Sequence, residues 1–114
     1  MTTYNGWANW ATWNANLWLD ESGDSETLRS RALEVLTGPD RDDPDLARSA
    51  AADAVEAELD ATLDFWAEAS SGGAAAGFCA DAINRAIAAV DRREIAWAIV
   101  DEVADEINYP RGEL

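Results

Sequence analysis

The chain has 114 residues, of which 23 are acidic and 8 are basic, and its formal net charge is −15. Hydrophobic residues make up 48% of it, which is typical of one folded domain rather than of a disordered chain. All the basic residues are arginine, and we expect so acidic a chain to bind neither nucleic acid directly nor an anionic membrane surface.

The first predicted helix begins at Trp10, with Asn9 as its N-cap, and ends at about Leu19. Trp10, Trp13 and Leu17 recur at intervals of three and four residues, as expected of one helix face. We therefore expect this stripe to point into the core of the domain.

Tryptophans are concentrated at the start of the chain, and two of them, Trp7 and Trp18, lie off the predicted inward stripe. We expect one of these two to be exposed, and because tryptophan is a common interface anchor, both are candidate partner-binding residues. Stacking on nucleic-acid bases is disfavoured, because such platforms need nearby cations and the first basic residue is Arg29.

Helix two is predicted to begin at Ser25, its N-cap, and to end at "TGPD" (37–40). Asp43 is predicted to cap helix three, with Pro44 at its first position and an end at about Ala69. The positions expected to face the core are Leu28, Ala32, Val35 and Leu36 in helix two, and Ala51, Val55, Leu59, Leu63 and Trp66 in helix three.

The segment "SSGGAAAG" (70–77) is expected to separate helix three from a fourth helix over about 78–89. Asp91 is predicted to cap a fifth helix, and Glu94 to complete a capping box, in which each of the two side chains bonds the other residue's backbone N–H. The positions expected to face the core are Cys79, Ile83, Ala86, Ile87 and Val90, followed by Ile95, Ile99, Val103 and Ile107.

No stretch of the chain has the alternating pattern of a β-strand. We therefore predict a single compact all-α domain of about five helices over residues 1–114, with residues 110–114 as a loose tail. Residues 1–7 show no secretory signal, and the single cysteine, Cys79, fits a reducing compartment. We expect a cytoplasmic protein, in the cytoplasm of the host cell if it is viral.

The residue inventory excludes several kinds of catalytic and metal site. Histidine is absent, so the chain has no imidazole base and no zinc site built on cysteine and histidine. The aspartate-rich loop at 40–45 lacks the glycine and the closing glutamate of a calcium-binding loop. We expect a protein that is not an enzyme and that binds no metal and no cofactor.

Acidic residues recur along one face of predicted helix three. They are Asp53, Glu56, Asp60, Asp64 and Glu68. At about 100° per residue they form one stripe, and a step of four residues separates two carboxylates by about 6 Å along the axis, comparable to the spacing of phosphates along a nucleic-acid strand. The stripe is either a solvated face or a partner-binding surface that mimics DNA phosphates. Arg92 and Arg93 are expected to pair with surface acids.

Two segments also resemble a known family. "YNGWANWATWNANLWL" (4–19) resembles the "YNGW-x-N-x-x-TWN-x-x-LW" signature of an uncharacterised family of small proteins from bacteriophages, plasmids, cyanobacteria and haloarchaea. "VDRREIAWAIVDE" (90–102) resembles that family's "V-x-W-x-EIA" segment, with Arg92 in place of an aromatic residue. The resemblance implies a viral or mobile-element context, in which small acidic proteins often inhibit host defence nucleases, and it supplies no catalytic residues.

The first hypothesis is an acidic, non-enzymatic binding protein of viral or mobile-element origin. It would inhibit a host nucleic-acid-handling defence protein, of the anti-restriction or anti-CRISPR type, by presenting the carboxylate stripe to a basic site. The alternative is a halophilic structural or regulatory domain whose acidity is an adaptation to salt, which screens self-repulsion. Such a domain would bind a protein partner, or a second copy of itself, through the tryptophan-rich segment.

Overall fold

The computed structural model describes residues 5–69 and 82–109. These residues form five helices and no β-strand, so the all-α prediction is confirmed. The helices are α1 (Trp10–Ser22), α2 (Asp24–Leu36), α3 (Pro44–Ala69), α4 (described over residues 82–88) and α5 (Arg92–Glu106). The predicted break at 70–77, the first residues of helix four with Cys79, and the tail at 110–114 lie outside the described residues.

The core forms where α2, α3 and α5 pack against one another, with α1 lying on α2 and α5. The largest side chains that are fully buried there include Leu28 and Leu36 of α2, Leu59 and Leu63 of α3, and Ile95 of α5. Burial of one such side chain stabilises a fold by about 1.5–3 kcal/mol, so these contacts dominate the packing energy. The inward faces predicted for helices two and three are confirmed, except that Val35 and Trp66 are only half-buried.

The inward face predicted for the first helix is wrong. Trp10 is 50% exposed, Leu17 is 40% exposed and Trp13 is half-buried, while the buried side chains of α1 are those of Thr12, Ala15 and Leu19. The predicted stripe fails because α1 is apolar around most of its circumference, so spacing alone selects no face.

The junction between α1 and α2 also differs from prediction. The helix α1 continues to Ser22, where Gly23 ends it in a left-handed conformation (φ 86°) that a glycine adopts without strain. Ser25 is not an N-cap, because α2 begins at Asp24. Its side chain is buried instead, and its hydroxyl donates a hydrogen bond to the carboxylate of Asp20.

The starts of α3 and α5 agree with prediction. Asp43 Oδ1 accepts a hydrogen bond from the Leu46 N–H (3.2 Å), and Pro44 is the first residue of α3. Val90, which lies between α4 and α5, is buried, and so are Ile95, Ile99 and Val103 of α5. The α4 residues Ile83, Ala86 and Ile87 are half-buried. The inward position predicted for Ile107 is wrong. This residue is 38% exposed, because α5 ends at Glu106 and the helical spacing no longer sets the direction of its side chain. None of the described helices is both long and apolar enough to cross a membrane.

Candidate interaction surface

A set of hydrogen bonds joins the start of α1 to the start of α5. Asn9 Oδ1 accepts from the backbone N–H and the hydroxyl of Thr12 (2.8 and 2.9 Å), which makes Asn9 the predicted N-cap of α1. The Asn9 amide donates to the Ala89 carbonyl (2.8 Å), and the Asp91 N–H donates to Thr12 Oγ1 (2.8 Å). Every polar atom of the Asn9 and Thr12 side chains that can hydrogen-bond is thereby engaged.

Glu94 belongs to the same set and corrects the predicted capping box. Asp91 caps α5 as expected, because its Oδ1 accepts from the Glu94 N–H (3.0 Å). The Glu94 carboxylate, however, accepts from the N–H of Ala8 (2.9 Å) rather than from Asp91, whose own N–H is already bonded to Thr12. These side chains therefore hold the two motif segments together and are part of the scaffold.

The two tryptophans proposed as interface anchors lie in different environments. Trp7 is half-buried and packs against the core, whereas Trp18 is 55% exposed on α1. Trp18 is thus the exposed member of the pair. Trp7 does not line the cleft that Trp18 borders.

Trp18 borders an apolar cleft of about 410 Å³. Its other walls come from α3 and α4, with Leu63 and Trp66 on the first and Ile83 and Ile87 on the second. The polar side chains in the lining are those of Asn14 and Ser22. Sequence reasoning did not find this cleft, because its walls meet only through tertiary packing.

The apolar surface continues past the cleft. Phe65 is 67% exposed beside a shallower depression, and Trp66 lines both. On the other flank of Trp18, Leu17 and Trp10 are also exposed. We call the five side chains of Trp10, Leu17, Trp18, Phe65 and Trp66 the tryptophan surface. Apolar side chains of a helix normally face the core, so three large exposed apolar side chains on the open side of α1 are unusual.

The acidic stripe of α3 is partly neutralised by α5. Arg93 Nη1 donates to Asp53 Oδ1 (2.6 Å) and to Glu56 Oε1 (3.1 Å), and Arg92 Nε lies 2.6 Å from Asp60 Oδ1. The pKa of Arg93 is raised, first by its hydrogen bond to Asp53 and then by the one to Glu56. The predicted pairing of Arg92 and Arg93 with surface acids is confirmed.

The remaining stripe residues, Asp64 and Glu68, are exposed near the C-terminal end of α3. Within residues 5–69 and 82–109, no ion pair of Asp64 is found. The part of the stripe at Asp53, Glu56 and Asp60 is therefore neutralised by arginines of α5.

A buried arginine that sequence reasoning missed anchors the end of the described chain. Arg48 is 7% exposed; its guanidinium lies 3.3 Å from Asp101, 3.4 Å from the Tyr109 carbonyl and 5.8 Å from the Tyr109 ring. The Tyr109 hydroxyl donates to the Arg41 carbonyl (2.7 Å). Burial raises the pKa of Tyr109, and the nearby Arg48 charge opposes that shift.

In the part of the chain that the structure describes, no three carboxylates or thiols are grouped so as to hold a metal ion. Neither a comparison with curated proteins nor one with solved structures finds a match. A family model described as "Family of unknown function (DUF7249)" matches residues 1–109. These residues include the hydrogen-bonded starts of α1 and α5, the acidic stripe and the tryptophan surface. The chain therefore belongs to this family of unknown function.

Proposed function

We propose that this protein is a non-enzymatic protein-binding domain whose partner docks on the tryptophan surface. The observation that carries the proposal is that α1 is apolar on both sides, although only the side with Thr12, Ala15 and Leu19 is used inside the domain. The other side exposes Trp10, Leu17 and Trp18.

The size and chemistry of the surface support a protein partner. A tryptophan or phenylalanine that is fully covered removes about 150–250 Å² from water, and such side chains are frequent interface anchors. Trp18 and Phe65 are more than half exposed, so much of that area is still open to a partner. The cleft beside Trp18 gives an anchor side chain a concave place to enter.

A second candidate is mimicry of DNA phosphates by the carboxylate stripe, directed at a basic site on a host nucleic-acid-handling protein. The exposed Asp64 and Glu68, together with the net charge of −15, support it. The ion pairs of Asp53, Glu56 and Asp60 weigh against it, because a carboxylate that already contacts a guanidinium offers less charge to a partner.

For the biological setting, we propose a viral or mobile-element protein of the cytoplasm that acts on a host defence protein. The family resemblance of the N-terminal segment supports this setting. A related proposal is that most of the acidity is an adaptation to high salt. In that case the carboxylates maintain solubility, and the tryptophan surface supplies the specific contact.

Quantitative co-purification with matched variants tests which surface binds. Trp18→Ala should lose the specific partner, whereas Leu46→Ala, at a position that is 51% exposed elsewhere on α3, should retain it. The double variant Asp64→Asn/Glu68→Gln should retain the partner as well. If the double variant loses the partner and Trp18→Ala retains it, the proposal is contradicted and mimicry of DNA phosphates is favoured.

A further inference from the structure

The turn before α1 contains an asparagine followed by a glycine. Asn5 and Gly6 are both exposed, and both have a positive φ (48° and 88°). We propose that Asn5 is a site of spontaneous deamidation, in which the backbone nitrogen of Gly6 attacks the side-chain amide. This modification goes beyond the proposed binding function and is independent of the tryptophan surface.

The reaction needs only water and base. The Gly6 nitrogen loses its proton to base and forms a bond to Asn5 Cγ, while the bond from Cγ to the amide nitrogen breaks. The amide nitrogen takes up a proton and leaves as ammonia, so a five-membered succinimide ring remains. Water then opens the ring. Addition at the Cγ carbonyl gives aspartate, and addition at the backbone carbonyl gives isoaspartate, in which the chain continues through the side chain.

The surroundings of Gly6 leave its nitrogen open to this attack. A Cβ at position 6 would have no neighbour within 4 Å, and glycine has no side chain that hinders ring closure. Among the described residues, none accepts a hydrogen bond from the Gly6 N–H. The turn is exposed and lies outside the helices. Such segments open locally at little cost in free energy, which lets the Asn5 side chain reach the nitrogen.

Asn108 has a similar backbone but lacks the open nitrogen. It is exposed and has a positive φ (56°), like Asn5. The next nitrogen along the chain, however, belongs to Tyr109, and its N–H donates a hydrogen bond to the Ala104 carbonyl (2.8 Å). The Tyr109 side chain also hinders ring closure. The comparison shows that a free and unhindered nitrogen, rather than the positive φ, distinguishes Asn5.

Isoaspartate at position 5 loosens the attachment of the segment that follows it. It adds a methylene to the backbone just before Trp7, which packs against the core, and Ala8, whose N–H donates to Glu94 Oε1 (2.9 Å). Aspartate at position 5 adds a charge but keeps the backbone length, and aspartate tolerates a positive φ as asparagine does. The two products therefore differ in their effect on stability.

Ageing of the purified full chain tests the proposal. The protein and a synthetic peptide "TTYNGWA" (2–8) are incubated side by side at mildly alkaline pH and sampled over time. After digestion, tandem mass spectrometry locates each exchange of an amide NH2 for a hydroxyl and distinguishes isoaspartate from aspartate. The other asparagines of the chain serve as internal controls, and they are Asn9, Asn14, Asn16, Asn84 and Asn108.

We expect Asn5 to convert first, at a rate within about tenfold of the rate in the peptide, with isoaspartate among the products. The rate should rise with pH, because the attacking species is the deprotonated Gly6 nitrogen. Faster conversion at any other asparagine would overturn the proposal. So would conversion at Asn5 that is more than about tenfold slower than in the peptide, because the turn would then protect the residue.

The variant Asn5→Asp separates the added charge from the longer backbone. Anion exchange isolates the deamidated fraction of the aged protein, and its melting temperature is compared with that of freshly purified Asn5→Asp. We expect the deamidated fraction to melt at a lower temperature, because part of it contains isoaspartate. Equal melting temperatures would contradict the inferred loosening of the segment at Trp7 and Ala8.

Discussion

The hydroxyl of Thr12 accepts a hydrogen bond from the backbone N–H of Asp91, 79 residues further along the chain, at 2.8 Å. Thr12 is fully buried, and its hydroxyl also donates to the Asn9 side chain. One side chain therefore links the N-cap of α1 to the N-cap residue of α5. This linkage gives Asn9, Thr12 and Asp91 a role in folding.

Replacing Thr12 with valine should destabilise the domain without changing its shape. The substitution leaves the Asp91 N–H without its partner at a partly buried position, so the free energy of unfolding should fall by about 1 kcal/mol, whereas Thr12→Ser should keep most of the stability. Urea unfolding measures the difference. Thr37→Val is the matched control, because the Thr37 hydroxyl donates to the Leu33 carbonyl at an exposed position. Equal effects at positions 12 and 37 would contradict the assigned linkage.

Two leucines in one helix test which face of α1 is buried. Leu19 is fully buried and Leu17 is 40% exposed, only two residues away. Leu19→Ala should lower the free energy of unfolding by about 2–5 kcal/mol through lost burial and the cavity left behind. Leu17→Ala should cost about 1 kcal/mol or less, because a partly exposed side chain leaves no enclosed cavity. Chemical denaturation of the two variants measures both losses of stability. A larger loss for Leu17→Ala than for Leu19→Ala would contradict the buried face of the structure and favour the Trp10–Trp13–Leu17 face.

Removing the arginines that neutralise the stripe separates the two candidate partner surfaces. The double variant Arg92→Gln/Arg93→Gln breaks the contacts to Asp53, Glu56 and Asp60 and makes the chain more acidic by two charges. Because these ion pairs are exposed to solvent, their loss should change the stability of the fold little.

For a partner bound at the tryptophan surface, the dissociation constant should stay within about threefold of the wild-type value, or less than 1 kcal/mol. Isothermal titration calorimetry with the purified partner measures it. A tenfold gain in affinity would show that the partner contacts the stripe.

Alkaline pH should destabilise the domain through Tyr109. Burial raises the pKa of Tyr109 above its ordinary value of about 10, so the folded chain holds this proton more tightly than the unfolded chain does. The contribution is complete below pH about 10 and is lost as the pH rises through the raised pKa of the folded state. Thermal unfolding against pH should show this fall in stability, and Tyr109→Phe should reduce its slope. If stability falls with pH as steeply in Tyr109→Phe as in the wild type, another group causes the alkaline sensitivity.

Several elements could be predicted from the sequence because local and tertiary forces agree in them. In α3 the buried Val55, Leu59 and Leu63 lie opposite the carboxylates, so only one orientation hides the apolar side. Asp43 and Asp91 cap helices through hydrogen bonds to residues only three positions further along the chain, and a local sequence pattern specifies such bonds.

The elements that escaped prediction depend on distant residues or on a helix without a polar side. Spacing along α1 fits both a Trp10–Trp13–Leu17 face and a Thr12–Ala15–Leu19 face, and packing against α2 and α5 selects the second. The partner of Glu94 lies 86 residues away at Ala8, so the D-x-x-E pattern alone indicated the wrong bond.

The candidate site shows the same division. That one of Trp7 and Trp18 is exposed agrees with prediction, but the inward stripe used to predict it is wrong, since Trp10 on that stripe is also half exposed. The cleft beside Trp18 could not, because Trp66 and Ile87 reach it from α3 and α4, through packing that no local spacing encodes.

Photo-crosslinking tests most directly whether the tryptophan surface is where a partner binds. A photoreactive phenylalanine analogue is placed at position 18 or at position 46, each about half exposed, and the protein is irradiated in the cells that produce it. We predict a discrete crosslinked protein at position 18 and none at position 46. Crosslinking of the same protein from both positions, or from an analogue at position 64 but not at position 18, would contradict the assignment of the partner to this surface.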